Sequence, residues 1–335
     1  MGGRRMKTGC RLIPCLLSCA LLFAGAARAE WMRDEREAMG TRIAVELWTE
    51  DAVAGRTAMD AVFAEFERLD LMMNPWNPAS ELSRINREAS KGPVSATPEI
   101  VEVVARAAHY STLTNGAFDI SFASVGQHYN YREGDQPNKE ERSTGKANIN
   151  FRAIVLDAEA QTIAFELPGL QVDLGGIAKG YAVDRGIALL IDAGIEAAVI
   201  SAGGDSRILG DRGDRPRTVG IRHPRKDDEF VVLIPLADTA ISTSGDYERF
   251  FMEDGVRHHH ILDPKTGDSA RAVQSASILA QRSIDSDALS TAVFVLGVKE
   301  GLALINTLPG VDAIVIDGAG KLHYSQELLR SSENP

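Results

Sequence analysis

The 335-residue chain has only three cysteines, Cys10, Cys15 and Cys19, all near the start. Beyond residue 19 there is no material for a disulfide framework, a thiolate metal site or a cysteine nucleophile. Basic residues are also short, 36 Lys and Arg against 47 Asp and Glu. Removing residues 1–29 takes Arg4, Arg5, Lys7, Arg11 and Arg28 and no acid. That leaves 31 of the 36 basic residues against all 47 acidic ones, a net charge of −16. So acidic a chain disfavours nucleic acid or an anionic membrane surface as a partner. An anionic ligand would need local help, from a cation or from backbone N–H groups. There is no internal repeat, no low-complexity tract and no second apolar span. The Gly-x-Ser-x-Gly elbow of a serine nucleophile is missing as well.

The N-terminus carries a targeting pattern. Arg4, Arg5, Lys7 and Arg11 precede a mostly apolar run over 13–24, and Ala27-Arg28-Ala29 fits a small-x-small cleavage site. The run is too short for a comfortable membrane span. The pattern predicts a signal peptide over 1–29, cleavage after Ala29 and export to the periplasm. Leu16-Leu17-Ser18-Cys19 loosely matches a lipoprotein box, although the apolar run continues past Cys19, so soluble and anchored export both stay open. Residues 30–335 are long enough for a large core, as one domain or two intimate lobes.

Alternation over 42–48 predicts a strand, and helical spacing of Met59, Val62, Phe63, Phe66, Leu69 and Met73 predicts a helix over 57–72. Asn74-Pro75-Trp76-Asn77-Pro78 ends it, Ser80 caps a short helix over 81–86, and Pro98 opens another that closes at Asn115-Gly116. Residues 126–148 read as a polar surface excursion. Strands are predicted over 153–156, 162–165, 170–173, 197–201, 218–222, 230–235, 239–243 and 311–317. Helices are predicted over 177–193, 287–296 and 299–308. Without regular βα alternation, this mixture predicts an α+β fold.

The most informative stretch runs from Val172 to Asp184. An apolar run ends in Asp173, followed by Gly175, Gly176 and a helix carrying Lys179. Glycines admit close approach of backbone to a ligand, and a helix N-terminus offers N–H groups to an anion. The same pair also makes ordinary turns. Asp287 and Thr291 stand four apart on a predicted helix, which puts a carboxylate and a hydroxyl on one face, a hard-oxygen pair suited to Mg²⁺. They also read as a helix-start acid and a surface threonine. Ala117-Phe118-Asp119 reads either as a ligand contact or as an Asx turn beside a core aromatic, and Trp76 either as a stacking ring on a loop or as a core plug. His258, His259 and His260 are consecutive, so a strand would point them to opposite faces and they would not share one metal. One of them could serve as a base or a phosphate donor. Ser242-Thr243-Ser244-Gly245-Asp246-Tyr247 reads as a hydroxyl-rich loop.

Each element is ambiguous; their order is not. Met39-Gly40-Thr41, Ser80-Glu81-Leu82-Ser83-Arg84-Ile85-Asn86 and Gly116-Ala117-Phe118-Asp119 come first. Asp173-Leu174-Gly175-Gly176-Ile177-Ala178-Lys179-Gly180-Tyr181 and Ser201-Ala202-Gly203-Gly204-Asp205 follow. The Ser242–Tyr247 run, His260-Ile261-Leu262-Asp263-Pro264 and Asp287-Ala288-Leu289-Ser290-Thr291-Ala292 complete the set. From about 36 to about 325 the chain resembles the ApbE family, the FAD:protein FMN transferases. The resemblance implies a T-fold-like α+β architecture with two intimate lobes and an exported, Mg²⁺-dependent enzyme. Its substrate would be FAD, whose FMN half it would move onto a threonine of an acceptor flavoprotein, such as a respiratory electron-transfer subunit, releasing AMP. Carried over by motif, Met39, Trp76, Ala117, Phe118, Asp119, Asp173, Lys179 and Ile261 would contact FAD, and Gly176, Asp287 and Thr291 would hold magnesium. Many relatives have tyrosine where Trp76 stands, some have threonine or alanine at Gly176, and some have aspartate at Ser290. His260 or Asp263 is the candidate proton acceptor, as the main unassigned polar cluster. An FAD pyrophosphatase, with water as nucleophile, and a flavin-binding protein without turnover are the alternatives.

Overall fold

The computed structural model describes residues 1–3, 30–211 and 215–333. The targeting pattern, its cysteines and the cleavage point at Ala29 lie outside the described residues. Eight strands form one antiparallel sheet, and their order across it is their order along the chain. They are Glu30–Ala38, Thr41–Thr49, Ala198–Ala202, Asp205–Leu209, Ala240–Gly245, Val273–Ala280, Asp312–Asp317 and Leu322–Tyr324. The helices are α1 (Ala52–Met73), α2 (Glu81–Glu88), α3 (Pro98–Leu113), α4 (Ala123–Gly126), α5 (Lys139–Ala147), α6 (Ala178–Asp192), α7 (Ser283–Ile305) and α8 (Gln326–Glu333). This is the α+β fold that the sequence predicts.

Helices α1, α6 and α7 lie side by side on one face of the sheet. The apolar residues of α1 read from sequence, Met59 to Met73, are all buried there. Helix α1 starts five residues earlier than its apolar spacing, because the Asp51 carboxylate accepts from Val53 and Ala54 N–H. Strand alternation sends Ile208, Ile241, Leu279 and Ile314 to the opposite face. There they pack with Ile221 and Leu236 of the hairpin Arg217–Arg222/Phe230–Leu236. A small sheet of Val94–Ser95, Thr162–Phe165 and Ile154–Asp157 joins α2 and α3 around the same main core.

Four sequence expectations are corrected. No strand forms over 170–173, because the Asn86 side chain satisfies both backbone groups of Val172, donating to its carbonyl at 2.9 Å and accepting from its N–H at 2.8 Å. The excursion over 126–148 is not all surface, since Tyr129 is buried in a cluster with Val125 and Leu262, and an Asn138/Glu141 capping box starts α5 within it. Helices 287–296 and 299–308 begin earlier and merge into α7, with Gly297 at φ 79° marking the kink between them. That helix is also long and apolar enough to cross a membrane by composition, although no second span was expected. It packs instead against strands 240–245 and 273–280 and against α6.

Candidate active site

One cavity of about 630 Å³ opens between the sheet, the α6 N-terminus and the loops at Met39 and Trp76. All the sequence-assigned residues line it except Asp263. The Asp263 carboxylate instead accepts from Lys265 N–H at 2.9 Å, and its carbonyl accepts from Thr266 and Gly267, so it serves a turn. It is not brought to the site.

The floor is set by how closely α6 and α7 cross. Gly180 lies where a Cβ would come 2.3 Å from the Ser283 carbonyl, so only glycine fits. At that crossing Gly180 N–H donates to Asp287 Oδ2 at 2.9 Å. One turn on, the Asp184 carboxylate accepts from Ser283 and Ile284 N–H and caps α7. Asp287 is therefore not the helix-start acid of the simpler reading; it is a buried carboxylate one turn inside. Strand Ala240–Gly245 runs along the same helix. Ser242 and Ser244, two apart on the strand, meet Ser286 and Ser290, four apart on α7, at 2.7 and 2.9 Å. The match follows from rises of about 3.4 Å per strand residue and about 1.5 Å per helix residue. Ser244 Oγ also reaches Thr291 Oγ1 at 3.2 Å.

Gly176 faces Thr291, since a Cβ on Gly176 would lie 3.4 Å from Thr291 Oγ1 and 3.3 Å from the Phe118 ring. Gly176, Asp287 and Thr291 thus converge. Lys179 Nζ donates to the Gly175 carbonyl at 2.8 Å and sits 3.1 Å from Asp205 and 3.5 Å from Asp287. Burial opposes its charge, but Asp205 and Asp287 outweigh burial and hold its pKa above the usual lysine value. Burial pushes the Asp287 carboxyl up to about 7, and the charge of Asp205 adds to the shift.

The remaining assigned residues divide into two kinds. Trp76 is 66% exposed on its loop, which rules out the core plug. Met39 stands at φ 51° in the turn between the first two strands. Asp119 is occupied structurally: it accepts from Ser121 N–H, Ser121 Oγ and Phe151 N–H, the Asx-turn reading. Phe118 is buried and meets Tyr110 edge-on. Asp173 accepts from Gly175 N–H at 2.6 Å, so that N–H is not free for a ligand, and burial raises its pKa. Ile261 is buried beside His260.

The three histidines diverge as their spacing predicts. His258 stacks on Phe251, and His259 Nε2 bonds the Ala270 carbonyl at 2.7 Å. Only His260 faces the cavity; burial and the charge of Arg249 push its pKa down to about 3. Asp70, Asp205 and Arg249 also line the cavity and were not assigned from sequence. Gly203-Gly204 before Asp205 was the available signal; Asp70 and Arg249 sit in no recognisable motif.

A family model described as the ApbE family matches residues 39–315. The chain belongs to the ApbE family. A relative from Treponema pallidum named FAD:protein FMN transferase is 31% identical over 93% of this chain and 92% of its own length. One of the same name from Vibrio cholerae is 30% identical over 92% and 95%. The ApbE crystal structure from Thermotoga maritima superposes with a TM-score of 0.83 at 31% identity, covering 90% of this chain and 99% of that one. The flavin transferase ApbE of Vibrio cholerae gives 0.80 at 28% identity, with the same coverage. The ApbE-family architecture thus spans nearly all of the described chain beyond residue 30.

Proposed function

We propose that this ApbE-family chain is an FAD:protein FMN transferase of the periplasm, and that it uses Mg²⁺ and a threonine of an acceptor flavoprotein. The observation that carries the reading is the presence, in the lining of one cavity, of Gly176, Lys179, Asp287 and Thr291 together with an exposed indole, Trp76. The donor set fits a hard divalent cation: a carboxylate that burial and Asp205 leave short of positive charge, a hydroxyl and a backbone carbonyl. Among the described residues no group of three or more His, Cys, Asp or Glu has metal-site geometry. The remaining ligand positions would accordingly fall to water and substrate phosphate oxygens. When bound, Mg²⁺ supplies charge neutralisation on the diphosphate and orients it for in-line attack.

The residues of this chain do the rest. Trp76 offers a ring face to the flavin. Lys179, locked by Asp205 and Gly175, holds positive charge against the developing anion. The acceptor hydroxyl oxygen forms a bond to the FMN-side phosphorus, the anhydride bond breaks, and AMP leaves with the bridging oxygen. His260 takes the hydroxyl proton. Its ring is neutral, and with Nδ1 facing the Arg249 carbonyl at 3.4 Å the lone pair would rest on Nε2. The phosphate charges of bound substrate offset Arg249 and raise its basicity.

The test is to incubate the protein with FAD, Mg²⁺ and a candidate acceptor and weigh the acceptor by mass spectrometry. An FMN mass on threonine with equimolar AMP is expected. Free FMN and AMP with an unlabelled acceptor would replace the transferase by a pyrophosphatase, and uncleaved FAD by a flavin-binding protein.

A further inference from the structure

We infer that Asp70 is a positioning residue that ties two walls of the cavity together and sets the slot in which a flat flavin ring lies against Trp76. The inference rests on the flavin-transferase reading of that cavity. Asp70 stands in the last turn of α1, where an acid faces the negative end of the helix dipole, and no basic residue shares that turn. A placement that is unfavourable for the helix alone points to a task outside it.

Each carboxylate oxygen of Asp70 holds a different wall. Oδ2 accepts from Met39 N–H at 3.1 Å, and Oδ1 accepts from Asn74 Nδ2 at 3.2 Å. Met39 is in the left-handed region at φ 51°, which a methionine rarely adopts, and such strain persists only where neighbours hold it. The Asp70 bond is one such hold. On the other wall, Asn74 Oδ1 accepts from Trp76 N–H at 2.9 Å, and the Asn74 carbonyl accepts from Ser80 Oγ at 2.6 Å. Asn74 thereby relays the position of Asp70 to the loop that presents the indole. The exposed Trp76 ring has little packing of its own to fix it; its backbone does. Met39, Asp70, Asn74 and Trp76 all line the cavity. A thioether on one side and an indole on the other suit an aromatic ring system.

The discriminating substitution is Asp70→Asn. It keeps the shape but turns one acceptor into a donor, so a donor meets either Met39 N–H or Asn74 Nδ2. FAD affinity is read from quenching of flavin fluorescence, and ADP affinity, which probes the diphosphate end alone, by calorimetry. Asp70→Ala and Asp70→Asn are expected to raise the FAD dissociation constant about tenfold, the loss of one charge-assisted hydrogen bond, and to leave that of ADP unchanged. If Asp70→Ala does not fold, Asp70→Asn carries the test. Unchanged FAD affinity, or equal losses for FAD and ADP, overturns the inference. Trp76→Ala separates the two readings. If it weakens FAD binding while the Asp70 variants do not, the Asp70 inference alone falls. If it leaves FAD affinity intact, the flavin slot falls and the inference with it.

Discussion

At the scale of single residues, the number of protein donors, not burial, separates the acids free for a chemical task from those that hold the fold. Asp119 and Asp287 are both buried acids, yet Asp119 has three protein donors. Asp287 Oδ2 has one backbone donor and a lysine shared with Asp205. Asp287→Ala should abolish Mg²⁺-dependent AMP release; full activity in that variant would remove the proposed metal site. The same carboxyl sets a pH dependence. Its folded-state pKa, about 7, lies above the usual value near 4 of an unfolded chain, so the folded protein holds this proton more tightly. The stability it lends is complete below about pH 4 and is lost as pH rises through about 7. Thermal midpoints of the metal-free protein, measured against pH, should carry that decline, and Asp287→Asn should flatten it. Trp76→Ala, at an exposed position, should change stability by no more than about 0.5 kcal/mol in denaturant titration.

Among secondary-structure elements, the α6–α7 crossing decides whether a site exists. Gly180 lets the two backbones approach, Asp184 caps α7, and the serines of strand Ala240–Gly245 fit the turns of α7. A methyl at residue 180 would collide with a backbone carbonyl that cannot rotate away. Gly180→Ala should therefore destabilise by about 1–3 kcal/mol and weaken Mg²⁺ binding as Asp287 shifts from the residue-180 N–H of α6. Chemical denaturation and calorimetry read the two effects separately; a stable variant with unaltered metal affinity would mean that the crossing is looser than it looks. Legibility at this scale was uneven, for physical reasons. Helix α1 shows its apolar stripe plainly. Strand Glu30–Ala38 is a charged edge strand without alternation, and Val273–Ala280 is buried on both faces, so neither has a period-2 signal.

For the whole molecule, net charge and cavity work against each other. The chain is acidic, and so are many cavity residues, with Lys179 and Arg249 the cations lining it among the described residues. A diphosphate is repelled by such a surface unless a divalent ion accompanies it. FAD with Mg²⁺ present, at about a hundred times its dissociation constant, should stabilise the fold by about 2.7 kcal/mol and raise the melting midpoint by a few degrees. FAD with chelator should give much less. A shift that ignores the chelator would show that the protein's own cations suffice.

Composition, the ordered motifs and the apolar spacing of α1 were enough to read an α+β chain of this family, a diglycine bend ahead of a helix and an acid–hydroxyl couple on one helix face. Those properties are local, written in residue type and spacing. Packing alone brought the Phe151 N–H to Asp119 and placed Asp70 on the cavity wall beside Met39. It also set Asp205 and Lys179 against Asp287. Each of those outcomes depends on which distant backbone donor or charge arrives within about 3 Å of a side chain, and that is a property of strand order and helix crossing that short-range pattern does not encode.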